Sequence, residues 1–271
     1  PDNFLRSFLA MHADPTLFDA EVERFRAAVA DRHAVVTGPR RRQDRRDPAT
    51  DPSAVRTRDL DGFVNEPDTD PALAGNRAWA REVASAPFVG PRAPVVTDQG
   101  TVDAVVAAAR AAGERWARVS AQERRAVLRR VADALAARRG ELLTAMLHEG
   151  GKTIGEADPE VSELIDFARY YADRAVDLEY VDGATFNTNT LTLIVPPWNF
   201  PVAIPGGGAL AALAAGSAAI LKPAPEVPRC AEIICEAAWE AGVDRDLLAY
   251  LRVPDDDTGR LRQALVVVLE R

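Results

Sequence analysis

Cysteine and histidine are scarce in this sequence: 271 residues contain two cysteines and three histidines. Cys230 and Cys235 are five residues apart, so a helix would place them on different sides and no disulfide would join them. A reducing cytoplasm is therefore the expected compartment. The histidines are scattered, with no second ligand at metal-binding spacing, so the sequence predicts no metal site.

Positive charge is also scarce. The sequence has 33 Lys and Arg and 41 Asp and Glu, which gives a formal net charge of −8. This balance weighs against broad binding to nucleic acid or to anionic membranes, since both require a field of the opposite sign. The Arg-rich run at 39–47 has no interleaved aromatic residues, so we interpret it as an exposed loop rather than a phosphate-binding patch. A small-molecule partner is the expectation.

Signals for export or membrane insertion are missing as well. The first ten residues (PDNFLRSFLA) have no basic leader followed by a long apolar core. Val202–Leu221 contains no charge over the length of a bilayer helix, but Pro205 and several glycines interrupt it. We interpret this stretch as buried turn, helix and strand, and expect no membrane span. The chain starts at Pro1 rather than Met, which indicates an excerpt of a longer protein.

Apolar residues recur at helical spacing through the first two thirds of the chain. A capping box at Ser120 and Glu123 starts one of these helices, and Gly140 is the expected stop. Residues 51–96 are rich in Pro, Asp and Asn, so we expect irregular structure or a linker there, with a domain boundary near residue 60. The predicted helices are one starting at Asp14-Pro15 and carrying Phe18–Val29, then Val102–Ala112, Ala121–Arg139, and one starting at Asp158-Pro159.

The periodicity changes near residue 190, where short apolar runs alternate with helical patterns. The predicted elements are strand Leu191–Val195, helix Gly208–Ala215, strand Ala218–Leu221, helix Pro228–Ala241 and strand Leu248–Val253, followed by a helix from Thr258. Alternation of this kind is typical of a parallel sheet, so the predicted fold class is α/β, a helical layer followed by parallel strands. The last strand would be left as a bare edge.

Two glycine motifs have the form of nucleotide-binding loops. Gly150–Thr153 (GGKT) resembles the end of a phosphate loop, but Met146 stands where an earlier glycine is required, so a helix terminus is the preferred interpretation. Gly206-x-Gly208-x-x-Ala211 matches a dinucleotide fingerprint in form, with Glu226 at a suitable distance downstream. Six residues of Pro-rich chain separate these glycines from the preceding strand, which leaves close helix–sheet packing as the alternative.

The strongest chemical signal lies in residues 193–201 (LIVPPWNFP). A predicted buried strand ends there in two prolines, an aromatic residue and a carboxamide, which places Asn199 at the carboxyl end of a parallel strand, where α/β sheets bind ligands. A carboxamide can donate a hydrogen bond to a developing oxyanion without titrating. Lys222 ends the next strand at the same edge, where a cation can hold ribose hydroxyls or phosphate. The alternative is two turn prolines and a solvated lysine.

At these residues the sequence resembles the aldehyde dehydrogenase superfamily, through Pro197–Pro201 (PWNFP), the Ala/Gly-rich helix and Leu221–Ala224 (LKPA). Glu149–Lys152 (EGGK) and Asp166–Tyr171 (DFARYY) are similar to the family's helical layer. The resemblance covers about residues 95–271. It is greatest to the L-glutamate γ-semialdehyde (1-pyrroline-5-carboxylate) dehydrogenases fused behind a proline dehydrogenase, the proline utilization A type, because residues 65–73 resemble the entry to that half.

The resemblance implies three segments. Residues 1–60 would be a tail from the end of a proline dehydrogenase half, and residues 61–190 the helical part of the aldehyde dehydrogenase domain. Residues 191–271 would be a partial Rossmann-like NAD-binding β-α-β-α-β domain, cut before the catalytic domain. The implied activity is oxidation of L-glutamate γ-semialdehyde to glutamate in proline catabolism by a homo-oligomer. NAD is the implied cofactor, with FAD only in the absent proline dehydrogenase half.

The resemblance also assigns residue roles. In the family a cysteine thiolate attacks the aldehyde, hydride passes to NAD, and a glutamate activates the water that releases the carboxylate. Carried over by position, Asn199 is the side-chain oxyanion donor and Lys222 holds the adenosine ribose. The remaining cofactor-binding residues are Pro196, Pro197 and Trp198 on the nicotinamide side and Glu226 beside the ribose.

Two departures from the family pattern qualify these roles. Pro225 stands where the family commonly has the ribose-binding glutamate, and the acid is displaced to Glu226, so the choice between NAD and NADP stays open. The catalytic cysteine and glutamate are expected beyond Arg271, so this chain alone is expected to be inactive. Two alternatives remain: a non-catalytic scaffold or NAD-binding module derived from an aldehyde dehydrogenase, and an unrelated reductase that binds its nucleotide through 206–211.

Overall fold

The computed structural model describes residues 6–7, 17–34, 45–46 and 63–254. The chain divides into two compact units, Pro1–Arg40 and Arg41–Arg271. In the first unit, helix α1 spans Phe18–Ala30 and a 3-10 turn follows at Asp31–His33. The predicted helix is confirmed, and none of the residues of α1 is buried.

The described part of the second unit combines seven α-helices with a small parallel sheet. Its helices are α2 (Ala74–Ser85), α3 (Gln99–Trp116), α4 (Ala121–Ala137), α5 (Arg139–Glu149), α6 (Ile154–Asp177), α7 (Ala203–Ala214) and α8 (Pro228–Glu240). A 3-10 turn at Leu178–Tyr180 follows α6. The strands are β1 (Leu191–Ile194), β2 (Ala218–Leu221) and β3 (Leu248–Tyr250).

The sheet has the order β1-β2-β3, with both pairs parallel. Ile194 pairs with Leu221, and Leu221 pairs with Tyr250, so the carboxyl ends of the strands meet at one edge. The predicted α/β class and the alternation of strands and helices are therefore confirmed. The third strand is shorter than predicted, and Arg252 instead forms an isolated parallel bridge with Val95.

Several helices differ from the sequence-based expectation. Gly140 lies inside α5 rather than ending α4, and a Cβ there would be 3.4 Å from Val83 Cγ2, so the glycine allows close packing of α5 on α2. Helix α6 starts at Ile154 rather than near Asp158, because Thr153 and Glu156 form a capping box. Helix α2 lies in a segment expected to be irregular.

One continuous core joins the helical layer to the sheet and includes Leu128 of α4, Leu164 of α6 and Ile220 of β2. Helix α3 reaches the sheet most closely at Gly113, where a Cβ would lie 2.0 Å from the carbonyl oxygen of Thr190. Only glycine permits this approach. The sheet is thus fixed against the helices that precede it in sequence.

The uncharged stretch at 202–221 forms α7 and β2, as the turn, helix and strand interpretation predicted. Most of its residues are buried in the core. Within the described ranges, no helix is both long and apolar enough to cross a membrane.

Candidate functional site

The predicted site residues leave the sheet at the same edge. Ile194 and Leu221 are paired, and the Lys222 backbone N–H donates to Ile194 O at 3.0 Å, so β1 and β2 end together. Residues 195–202, which we call the site loop, connect β1 to α7, and residues 222–227 connect β2 to α8. The carboxyl edge of a parallel sheet is where α/β folds bind ligands.

The site loop exposes the side chains that the sequence singled out. Trp198 is 54% exposed and Phe200 is 45% exposed, although both are large and apolar. Asn199, between them, is also exposed, while Pro196 before them is buried and Pro197 is exposed. Exposed aromatic residues beside a carboxamide form a surface that can contact a flat, partly polar ligand.

Lys222 differs from the exposed Trp198 and Asn199 of the site loop, because it is only 2% exposed. The alternative interpretation of Lys222 as a solvated lysine is therefore wrong. A ribose hydroxyl or a phosphate can reach its ammonium group only if the atoms that cover it move. Glu226 is exposed in the turn that precedes α8, so a ligand can reach its carboxylate directly.

A buried carboxylate closes the N-terminus of α7. Glu160 of α6 is 3% exposed, and its Oε2 accepts hydrogen bonds from Val202 N at 3.2 Å and Ala203 N at 3.3 Å. Its other oxygen, Oε1, pairs with Lys152 Nζ. A carboxylate is the group that a helix N-terminus attracts, because unpaired N–H groups and the helix dipole both favour negative charge.

A second carboxylate closes the N-terminus of α8. Glu149, at the end of α5, accepts from Arg229 N at 2.9 Å and Cys230 N at 3.1 Å. Desolvation by burial raises the pKa of Glu149 despite these hydrogen bonds. A nucleotide diphosphate would have to displace the buried Glu160 carboxylate at the start of α7, or the half-buried Glu149 carboxylate at the start of α8.

The glycines of the apparent dinucleotide fingerprint lie within α7 rather than before it, so the nucleotide-binding interpretation of this motif is wrong. A Cβ on Gly206 would be 2.1 Å from Leu164 Cδ1, and one on Gly207 would be 2.8 Å from Phe167 Cδ2. A Cβ on Gly208 would be 3.3 Å from Ile194 Cγ2. These glycines serve close packing of α7 on α6 and on β1, in line with the packing alternative.

The other glycine motif, residues 150–153, is a helix terminus, as preferred. Gly150 follows the last residue of α5, and Gly151 has a φ of 64°, a left-handed conformation that favours glycine. Lys152 then turns back to pair with Glu160.

Neither cysteine has the environment of a nucleophile. Cys230 and Cys235 are free thiols with 0% exposure in α8. Burial raises the pKa of both thiols, with Glu149 adding to the shift at Cys230 and Glu232 at Cys235. A buried thiol that resists ionisation is a structural residue.

A buried ionic cluster fixes the segment at 65–69 to the helical layer, and sequence reasoning missed it. Glu66 accepts from Arg169 Nη1 at 2.6 Å, and Asp158 bridges Thr69 N at 2.5 Å and Arg139 Nη1 at 2.8 Å. Arg45 joins this cluster through Thr69 Oγ1 at 2.9 Å, and its side chain is 9% exposed. The interpretation of 39–47 as an exposed loop is therefore wrong at Arg45, which helps to hold the segment at 65–69.

A groove of about 410 Å³ lies between α2, α5 and α8, away from the predicted site residues. Trp79, Phe88 and Ile233 supply apolar walls, and Glu141 and Arg229 supply charge. None of the residues at the carboxyl edge of the sheet lines it. Its volume alone assigns it no chemistry.

Comparison with known proteins identifies the fold family. Residues 93–264 match the Aldehyde dehydrogenase family, which is more than half of the chain. The chain belongs to the aldehyde dehydrogenase family. A solved structure of Proline Utilization A from Corynebacterium freiburgense is similar over 89% of this chain and 23% of its own, with 41% identity and a TM-score of 0.66.

Two curated dehydrogenases are among the relatives that this chain matches. "1-Pyrroline-5-carboxylate dehydrogenase 2" of Bacillus subtilis is 32% identical over 165 residues, 56% of this chain and 32% of its own length. "Putative succinate-semialdehyde dehydrogenase [NADP(+)]" of Mycolicibacterium smegmatis is 33% identical over 175 residues, 59% of this chain and 34% of its own length. The chain thus spans about a third of the length of the curated relatives it matches.

The residues at the sheet edge fit the nucleoside parts of the dinucleotide that an aldehyde dehydrogenase needs. Trp198 offers an exposed aromatic face, and Glu226 offers an exposed carboxylate suited to ribose hydroxyls. The N-termini of α7 and α8 do not fit the diphosphate, because Glu160 and Glu149 occupy them. Among the described residues, the edge therefore has partners for rings and hydroxyls rather than for phosphate.

Proposed function

We propose that this chain is part of an NAD-dependent dehydrogenase that oxidises L-glutamate γ-semialdehyde to glutamate in proline catabolism, within a protein that also has a proline dehydrogenase half. The observation that carries the proposal is the similarity to Proline Utilization A, 41% identical over 89% of the chain. That similarity covers more of the chain than the match to the family at 93–264. The domain arrangement 1–60, 61–190 and 191–271 follows from it as a proposal.

In this proposal Asn199 is the side-chain donor to the oxyanion. Its carboxamide is exposed at the carboxyl edge of the sheet and carries no titrating group, so it can donate a hydrogen bond throughout the working pH range. The donor strengthens as negative charge develops on the aldehyde oxygen, which lowers the barrier rather than the ground state. The nucleophilic thiol and the general base are proposed to lie outside this chain, because Cys230 and Cys235 are buried.

The cofactor residues follow the same edge. Pro196, Pro197 and Trp198 are proposed to line the nicotinamide side, and Lys222 and Glu226 to hold the adenosine ribose. NAD, when bound, supplies the hydride acceptor for the oxidation. The rigid prolines hold the loop that bears Trp198, while the buried Lys222 requires a small rearrangement before it contacts ribose.

Substrate and cofactor choice are tested together in the complete protein that contains this chain. NADH and NADPH formation is followed with L-glutamate γ-semialdehyde and with succinate semialdehyde, the substrate named for the Mycolicibacterium relative. We expect the highest kcat/KM with L-glutamate γ-semialdehyde and NAD. An equal or higher kcat/KM with succinate semialdehyde would contradict the substrate assignment, and a preference for NADP would contradict the cofactor assignment.

The role of Asn199 has its own test. Asn199→Ala is expected to lower kcat by about 10²–10³-fold, because one oxyanion donor is lost, with a small change in KM. Asn189→Ala, which alters another exposed asparagine just before β1, is the matched control and should retain activity. Equal activity of the two variants would remove Asn199 from the mechanism.

A further inference from the structure

The site loop is held at two places on its C-terminal side by side chains of the helical layer. Glu160 accepts from Val202 N and Ala203 N, three and four residues after Asn199. Lys152 Nζ lies 4.7 Å from the centroid of the Phe200 ring, the residue next to Asn199. An ammonium group at this distance from an aromatic face makes a cation–π contact.

The two side chains act as one unit because they pair with each other. Lys152 Nζ contacts Glu160 Oε1, while Glu160 Oε2 faces the backbone of the loop. The side chains of Lys152 and Glu160 are 16% and 3% exposed. Separating a desolvated ion pair is costly, because each charge is then left buried without its partner. The pair therefore keeps its geometry.

The N-terminal side of the loop is fixed independently. Ile194 ends β1 in register with Leu221, and its carbonyl accepts from Lys222 N. Three prolines, Pro196, Pro197 and Pro201, further restrict the residues between the two anchors. The position of Asn199 therefore depends on the sheet at one end and on the Lys152–Glu160 pair at the other.

We propose that Lys152 and Glu160 are positioning residues that hold the carboxamide of Asn199 where the oxyanion forms. The inference rests on the proposed aldehyde oxidation and deepens it. An oxyanion donor must lie within hydrogen-bond distance of an atom position that exists only in the transition state. A misplacement of about 1 Å can cost about 10²-fold in rate, so residues that set the loop position control kcat.

A double-mutant cycle in the complete enzyme separates positioning from general stabilisation. Lys152→Met removes the charge and keeps much of the length, and it is combined with Asn199→Ala. We expect Lys152→Met to lower kcat by about 10-fold to 100-fold in the parent enzyme, with KM changed by less than about twofold. In the Asn199→Ala background the same change should lower kcat by less than about twofold, because the donor to be positioned is already gone.

Two further variants control the cycle. Arg125→Met removes another cation that pairs with an acid of α6, Asp173 at 2.7 Å, but it does not contact the site loop. It should leave kcat within about twofold of the parent. Lys152→Arg retains the positive charge and should restore most of the kcat lost in Lys152→Met.

The outcomes are distinguishable. An equal loss from Lys152→Met in both Asn199 backgrounds would overturn the positioning role. Absence of aldehyde oxidation in the parent would overturn the proposed function instead. An Asn199→Ala variant as active as the parent would overturn the role of Asn199, and the positioning role with it. Crystal structures of the parent and of Lys152→Met then decide the inference: displacement of Asn199 relative to β1 supports it, and an unmoved site loop refutes it. Lys152→Gln, which also removes the charge, replaces Lys152→Met in the cycle and in this comparison if the Met variant does not fold.

Discussion

Helices α7 and α8 occupy equivalent places, each following a parallel strand, yet the helical layer holds their N-termini differently. Glu160 binds the start of α7 and is itself paired with Lys152. Glu149 binds the start of α8, and within the described residues no cation lies at ion-pair distance from it. Burial correspondingly raises the pKa of Glu149.

The C-termini of the same helices are held alike. Arg124 Nε donates to Ala214 O, at the end of α7, and Arg130 Nε donates to Ala241 O, just after α8, both at 3.1 Å. Both arginines come from α4. Carboxylates at helix N-termini and guanidinium groups at C-termini complement the two helix dipoles, so the layer and the sheet interact through the ends of α7 and α8.

The loops before α7 and α8 therefore differ in whether the carboxylate that anchors them is paired with a cation. The loop before α7 bears Asn199, and its anchor is a charge-compensated pair. The loop before α8 bears Lys222 and Glu226, and its anchor is a lone carboxylate. Glu149 is half-buried and burial raises its pKa, whereas Glu160 is tied to Lys152, a second residue that also contacts the site loop.

The largest expected effect is the difference in stability between variants that remove the two anchoring carboxylates, Glu160 and Glu149. Glu160→Ala should lower the free energy of unfolding by about 3 kcal/mol, because it leaves Lys152 without its partner and frees two N–H groups of the α7 terminus. Glu149→Ala should cost about 1 kcal/mol, the ordinary cost of a lost helix cap. Urea unfolding of the two variants gives both values. Equal losses would show that the ion pair adds nothing to the α7 anchor.

A second test concerns the face that α7 presents to α6. Gly206→Ala should lower the free energy of unfolding by about 2 kcal/mol, because the new Cβ would lie 2.1 Å from Leu164 Cδ1 in a filled core. Gly155→Ala is the matched control, since that helical glycine has nothing within 4 Å of a Cβ. The control should be neutral or slightly stabilising, as alanine favours helix. A stabilising Gly206→Ala would contradict the packing role of the α7 glycines.

Local periodicity made these elements predictable, but not their contacts. Ala218–Leu221 is the strand that the sequence indicated, residue for residue, because its apolar run is bounded by turn signals on both sides. Helix α2 was missed because the Pro- and Asp-rich sequence around it outweighed the helical spacing of Trp79 and Val83. Both side chains line one groove against α5, a contact that no local pattern reveals.

The same limit applies to the candidate site. The position of Asn199 at the carboxyl edge follows from the order of strands and helices, so the sequence predicted it. The contact between Glu160 and Val202 joins residues 42 positions apart, and the burial of Lys222 depends on tertiary packing. Sequence patterns reveal the order of strands and helices, but they do not reveal contacts between distant residues or the burial that such contacts produce.

The smallest expected effect is a pH dependence that the α8 anchor should show. The pKa of Glu149 is raised in the folded protein, so its stabilising contribution is fully present below its ordinary value of 4.5 and is lost as pH rises through the folded pKa. Glu149→Gln, which cannot ionise, should therefore gain stability relative to the parent as pH rises above about 4.5. Thermal unfolding of both proteins across this window measures the difference.

Glu236 provides a control of opposite sign for the same experiment. Burial alone would raise the pKa of Glu236, but hydrogen bonds from Arg229 and Arg138 outweigh burial and lower it. Its contribution is present above 4.5 and is lost as pH falls through the lowered pKa, so Glu236→Gln should approach the parent in stability only at acid pH. If Glu149→Gln followed the Glu236→Gln profile, the α8 anchor would be stabilised by its charge after all. The contrast with the α7 anchor would then lie in the Lys152 contact alone.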